Sequence, residues 1–259
     1  MSVTVPKGGL APGSRRVMNL AHFLLQSAKR YPNEIALAWG EDTWTWAQLN
    51  ARVDAMAAAL AARGVSKGDR ILVQAKNSNQ LFESMFVCFR LGAVWVPTNF
   101  RLTVEEVAYL ASASGATTMM CGCEFPDHAR AATDAARALG FTVSIGASGF
   151  GQDYDALVAE YRGRAATPAE VEHDDPCWFF FTSGTTGRPK AAVLTHGQMG
   201  FVATNHLCDR CQALRIATFR SQWRRSRMAP GSMRWRKSRA EPKPCSRPAT
   251  TSILKRHGG

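Results

Sequence analysis

Between residues 33 and 145, short β-branched or aromatic runs alternate with stretches whose apolar residues recur at helical spacing. This alternation restricts the fold more than any other feature of the chain. Asn33–Trp46 reads as an opening β-hairpin, with "EIALAWG" and "TWTW" flanking Glu41-Asp42. Leu49, Val53, Met56 and Leu60 then mark one face of a helix that stops near Gly64. After Gly68-Asp69 come the strand "RILVQ" (70–74), a helix over Leu81–Leu91 and the strand "GAVWVP", which Pro97 ends. Thr103-x-x-Glu106 is a capping-box signature and opens a third helix, "EEVAYLAS". Thr117–Met120 and Phe141–Ile145 read as further strands around an Ala-rich helix through Ala129–Leu139. Strands separated by helices of this length pair through crossovers, so the fold class is α/β: a mostly parallel sheet flanked by helices.

The pattern continues through "DDPCWFFFTSGTTGRPKAAVLTHGQMGFVATNHLCD". Here the expected elements are a buried strand, Cys177–Phe181, a glycine loop, a second strand, Ala191–Leu194, and a helix from about His196. After Asp209 the pattern stops. Residues 210–259 hold four residues of the set Val, Ile and Leu, none of them Val, and show neither helical nor alternating periodicity. Charge divides at the same place. Residues 1–209 carry 18 Lys+Arg against 19 Asp+Glu, whereas residues 210–259 carry 14 Lys+Arg against Glu241 alone. The +12 of the whole chain therefore belongs to its last fifty residues. The expected organisation is an N-terminal arm (1–16), an α/β domain (17–209) and a disordered basic tail (210–259).

Composition excludes several classes. At 46% hydrophobic the chain is too apolar for wholesale disorder. No stretch approaches the roughly 18 uninterrupted apolar residues of a membrane span, and the first thirty residues show no secretory signal. Seven scattered cysteines, an odd number, do not form a disulfide framework, so a cytoplasmic location is expected.

The loop "FTSGTTGRPKA" (181–191) carries the chemistry. Gly184 and Gly187 permit positive φ, so successive N–H groups can turn inward to form an anion-binding concavity. Thr182, Ser183, Thr185 and Thr186 add hydroxyl donors, Lys190 adds a point charge, and Pro189 stiffens the approach to it. A polyphosphate suits this composition, and so does a ligand-free surface hairpin. The pattern is not a Walker A loop: G-x-x-G-x-x-K joins two strands here, whereas G-x-x-x-x-G-K-[ST] lies on a strand-to-helix turn.

"TSGTTGRPK" resembles the phosphate-binding signature of the adenylate-forming (AMP-binding) enzymes, which include acyl-CoA synthetases, peptide-synthetase adenylation domains and luciferases. "TWAQLN" (45–50), "GVSKGDRILV" (64–73) and "LGAVWVPTNFRLTVEEVAYLASASGA" (91–116) resemble other family segments, in the family's order. Ala191 departs from the Gly usual after Pro-Lys, a change expected to alter packing more than chemistry. The resemblance implies a two-step reaction: a carboxylate attacks the α-phosphate of Mg²⁺-bound ATP to give an acyl-adenylate, and coenzyme A then takes the acyl group. It assigns Thr182, Ser183, Gly184, Thr185, Thr186, Gly187 and Lys190 to the β- and γ-phosphates, and assigns no metal ligand. The carboxylic acid could be fatty, aromatic or a short dicarboxylate.

The family's acid-binding region, its adenine and ribose motifs and its catalytic Lys are not legible after His196, so no catalytic residue is assigned and the chain as written is expected to be inactive. A one-base frame change near Asp209 would account for the tail. The codon straddling Met228-Ala229 in the alternative frame must be GGC, Gly, and the junctions from Arg224 to Gly231 permit Pro-Leu-Ser-His-Gly-Ala-Gly, similar to how the family continues. The rival readings are a non-catalytic nucleotide-binding remnant and a fragment that binds nucleic acid through the tail's Arg residues, Trp223 and Trp235. His206, Cys208 and Cys211 lack a fourth ligand for zinc. Cys121 and Cys123 read as core or loop cysteines, His196 and the hairpin tryptophans as structural, and Asp174-Asp175 as a solvated loop.

Overall fold

A seven-stranded sheet divides the described residues into two apolar layers. The computed structural model describes residues 18–147, 149–182 and 188–206, all inside one compact unit that spans Met1–Arg210. The expected arm (1–16), the loop residues Ser183 to Gly187, Cys208, Cys211 and the basic tail lie outside the described residues.

The elements run α1 (Ala21–Arg30), β1 (Ile35–Trp39), β2 (Asp42–Thr45), α2 (Trp46–Ala61), β3 (Arg70–Gln74), α3 (Asn79–Leu91), β4 (Val94–Pro97), α4 (Val104–Ser114) and β5 (Thr118–Gly122). They continue with α5 (Pro126–Ala135), β6 (Phe141–Ile145), β7 (Gln152–Asp153), α6 (Tyr154–Glu160), β8 (Pro176–Thr182), β9 (Lys190–Thr195) and α7, over 196–206. The main sheet is ordered β7-β6-β5-β3-β4-β8-β9 and is parallel except for its antiparallel β8–β9 pair. β1 and β2 form a separate antiparallel hairpin, with Trp39 opposite Asp42 and the turn at Gly40-Glu41.

Alternation along the central strands sends successive side chains to opposite layers. Ile71, Val73, Trp95 and Met120 join the core with Leu49, Val53, Met56 and Leu60 of α2. Leu72, Val94, Val96 and Met119 join the other, with Val107 and Leu110 of α4. Capping fixes where the helices start. Thr45 and Gln48 form a complete capping box on α2, Thr103 and Glu106 form one on α4, and Ser78 caps α3 by accepting the Leu81 N–H.

Two expectations need correcting. The Ala-rich helix spans Pro126–Ala135 rather than 129–139, because Pro126 at its first turn sets the start and Ala136 is already extended. The strand Cys177–Phe181 is not buried. Cys177 is covered, but Trp178, Phe179 and Phe181 are half-buried and Phe180 is 50% exposed. β8 lies one strand from the end of the described sheet and β9 is largely exposed, so little covers this part of the ladder. No helix among the described residues is long and apolar enough to cross a membrane.

Candidate functional site

β8 runs parallel to β4, so Thr182 at its end reaches the carboxyl edge of the sheet. In open α/β sheets this is the edge where ligands bind. Thr182 closes β8 and Lys190 opens β9, and the two are direct partners in the antiparallel register. The segment 183–189 therefore joins two strands, as its spacing implied, and not a strand to a helix. Of the expected phosphate-binding residues, Thr182 and Lys190 are brought together. Ser183, Gly184, Thr185, Thr186 and Gly187 lie outside the described residues.

The ladder fixes which way the two described groups point. Phe181 packs toward the α4–α5 layer, so its partner Ala191 shares that side, while Thr182 and Lys190 project to the other. Both are exposed, and among the described residues Lys190 has no ion-pair partner. A hydroxyl and an ammonium thus stand side by side at the two ends of the loop. Ala191, where the resemblance expected Gly, is exposed in regular strand, so its methyl is accommodated.

The loop's exit is held from behind. Tyr109 of α4 donates its Oη–H to the Pro189 carbonyl at 3.2 Å, and the Arg188 guanidinium lies over the Tyr109 ring with Cζ 5.3 Å from the centroid. Neither Tyr109 nor Arg188 was singled out from the sequence. The hydrogen bond spans 80 positions, and no local pattern announces such a contact. Alongside, Thr98 Oγ1 donates to the Val73 carbonyl at 3.0 Å and to Gln74 Oε1, closing the carboxyl ends of β3 and β4.

β9 leads straight into α7, whose start is tightly organised. Thr195 Oγ1 accepts the Gln198 N–H, and Gln198 Oε1 accepts the Thr195 N–H, a capping box absent from the sequence reading. His196 and Gly197 donate their N–H groups to the carbonyls of Asp175 and His173. Asp174 is solvated as expected. Asp175 is only partly so: its carboxylate accepts the Glu172 N–H and pairs with Lys67 at 2.6 Å. Burial raises its pKa, but the Lys67 ammonium and the Glu172 N–H outweigh this and the net shift is downward.

Of the remaining candidates, the His206, Cys208 and Cys211 group lies largely outside the described residues. Burial holds the Cys121 and Cys177 thiols up at about 12, so both stay protonated at neutral pH, while Cys123 is exposed. Among the described residues no cluster of three His, Cys, Asp or Glu is placed to hold a metal ion. A hollow of about 750 Å³ lined by Cys123, Arg130 and Phe150 opens beside β5 and β6. β3 and β4 separate it from β8, so it is not part of the loop site.

Residues 24–223 match the family described as AMP-binding enzyme. A feruloyl-CoA synthase from an Amycolatopsis species is 35% identical over 194 residues, which cover 75% of this chain and 37% of that enzyme. The long-chain-fatty-acid–CoA ligase FadD13 of Mycobacterium tuberculosis is 36% identical over 166 residues, covering 62% of this chain and 31% of the ligase. Among solved structures, the inhibitor-bound N-terminal domain of FACL13 from the same organism superposes with a TM-score of 0.59 at 32% identity, covering 69% of this chain and 44% of that one. The chain spans about a third of the length of these curated relatives. With residues 24–223, well over half of the chain, matched by this one family, the chain belongs to the AMP-binding enzymes.

Proposed function

We propose that the segment from Thr182 to Gly187, with Lys190, holds the β- and γ-phosphates of Mg·ATP, and that the chemistry of the lineage is activation of a carboxylic acid for transfer to coenzyme A. One observation carries the reading: Thr182 and Lys190 are exposed partners at the carboxyl edge, on the same face of the ladder. A carboxylate oxygen attacks the α-phosphorus of ATP, the bond to the β-phosphate oxygen breaks, and pyrophosphate leaves. The charge that develops on the departing pyrophosphate is where the Lys190 ammonium and Thr182 hydroxyl contribute, because they are in place before it forms. The acyl-adenylate then yields its acyl group to a thiol, with AMP leaving. The magnesium ion enters on the phosphate oxygens of the nucleotide.

We further propose that the 259 residues as they stand bind nucleotide without completing adenylation. Support comes from residues 210–259, where fourteen basic residues and broken periodicity replace any legible acid-binding, adenine or ribose motif. A frame change near Asp209 accounts for this composition and is checked by sequencing the coding DNA. Four described cysteines that are all free fit a cytoplasmic setting. The relatives named above are a feruloyl-CoA synthase and a long-chain-fatty-acid–CoA ligase, so the acid panel spans aromatic and fatty acids, with short dicarboxylic acids as a third class.

ATP–pyrophosphate exchange with that panel, run beside Mg·ATP binding, tests both parts. Binding without exchange is expected. Robust exchange with any acid overturns the proposed inactivity, and absence of nucleotide binding overturns the phosphate assignment.

A further inference from the structure

The geometry points to a residue outside the loop that sets where its lysine stands. Pro189 has no N–H, so its carbonyl is the one backbone group through which that residue can be anchored by hydrogen bonding. Tyr109 Oη supplies that anchor at 3.2 Å. The peptide unit is planar, so fixing the Pro189 oxygen also fixes the direction of the Lys190 N–H and the entry of Lys190 into β9. The anchor is itself firm. Tyr109 is half-buried against the Val107–Leu110 layer, and α4 is closed at one end by the Thr103–Glu106 capping box and at the other by Gly115 in the left-handed conformation.

We propose that Tyr109 is a positioning residue for Lys190. It holds the Pro189–Lys190 peptide plane from the α4 side while the ammonium faces the opposite side of the ladder, and its ring seats the Arg188 guanidinium so that the second cation of the segment is held apart from the first. The proposal rests on the phosphate reading given above for what Lys190 addresses. The anchoring of the peptide plane does not depend on it.

Tyr109→Phe is the informative variant, because it keeps the ring, its packing and the seat for Arg188 and removes the hydroxyl alone. Tyr109→Leu removes the seat as well. On the full chain, amide exchange at Lys190 and Ala191 is measured without ligand, and affinity for Mg·ATP and for pyrophosphate is measured by calorimetry. For Tyr109→Phe the expected result is exchange at Lys190 about fivefold faster and binding roughly three- to tenfold weaker, with only the small fall in melting temperature that loss of one partly exposed hydrogen bond gives. Tyr109→Leu moves further in the same direction. Unchanged exchange at Lys190 in Tyr109→Phe overturns the anchor. Faster exchange with unchanged affinity overturns the positioning role, and so do changes that merely track a fall in melting temperature. If the wild-type chain binds neither Mg·ATP nor pyrophosphate, the phosphate reading and the positioning role fail together, while the exchange comparison still decides the anchor.

Discussion

The Nδ1 atom of His196 accepts the backbone N–H of Leu20 at 3.3 Å, joining the first residue of α7 to the N-cap of α1 across 176 positions. An accepting Nδ1 places the ring proton on Nε2. That atom is buried and has no hydrogen-bond partner among the described residues. The ring edge packs against Phe89, with centroids 5.8 Å apart. Burial drives the pKa of His196 down to about 4; the Asp175 carboxylate opposes this only in part, and the Lys67 ammonium adds to the fall.

Stability should therefore fall on acidification before any carboxylate titrates at this contact. Between an unfolded value near 6.5 and a folded value of about 4, the unfolded chain takes up a proton that the folded chain refuses. The loss reaches up to about 1.4 kcal/mol per pH unit within that window. Asp175, whose pKa is depressed, adds its own loss only below the ordinary carboxylate range. Urea melts at steps from pH 7 to pH 4 should show this slope in the wild type and a flatter one in His196→Phe, which keeps a ring but cannot be protonated.

Arg90 is nearly fully buried and is neutralised by Asp54, while its second nitrogen donates to Asn50 Oδ1 at 2.9 Å. Asp54→Ala leaves the guanidinium buried without its charge partner and should cost about 3–5 kcal/mol in denaturant melts. Replacing both residues with apolar ones, Asp54→Leu with Arg90→Met, should recover most of that loss. A double variant as unstable as the single one would show that the charges themselves are needed.

Gly92 caps α3 at φ +66°, and a Cβ there would meet Ala169 Cβ at 3.0 Å and Val171 Cγ1 at 3.1 Å. Gly92→Ala therefore combines left-handed strain with a tight contact on the segment leading to β8. A loss of about 1–3 kcal/mol is expected, read as a lower melting temperature.

How much of this was legible follows from the range of the contacts. "RILVQ" and "FTVSI" coincide with β3 and β6, because a β-branched run between helical stretches has few alternatives. The Thr103–Glu106 box is likewise contained in four residues. α1 escaped notice, since Ala21 and Leu24 are its two buried residues and the rest of "AHFLLQSAKR" is partly or fully exposed. The aromatic run Trp178–Phe181 misled for the opposite reason. Its apolarity reads as burial, whereas its place beside the last described strand leaves it half covered. At the site, residue types named the loop, but Tyr109 and the environment of His196 depend on contacts over 80 and 176 positions.

The uncovered ladder has a solubility consequence. Phe180 is 50% exposed on one face and Val193 49% exposed on the other. Such faces favour association, so Phe180→Ser with Val193→Thr should raise the soluble yield and delay aggregation on heating, read by light scattering. Unchanged aggregation would place its origin elsewhere in the chain.

The most direct test of the central claim is Mg·ATP binding to the full chain with and without the Lys190 ammonium. Lys190 is exposed and has no ion-pair partner among the described residues, so Lys190→Ala should leave the melting temperature unchanged. A charge-assisted contact to phosphate is worth about 1.5–3 kcal/mol, which corresponds to roughly ten- to a hundredfold weaker binding. That loss at constant stability is the predicted result. Equal affinity in the two proteins, or no binding by the wild type, would contradict the claim that this loop holds the triphosphate.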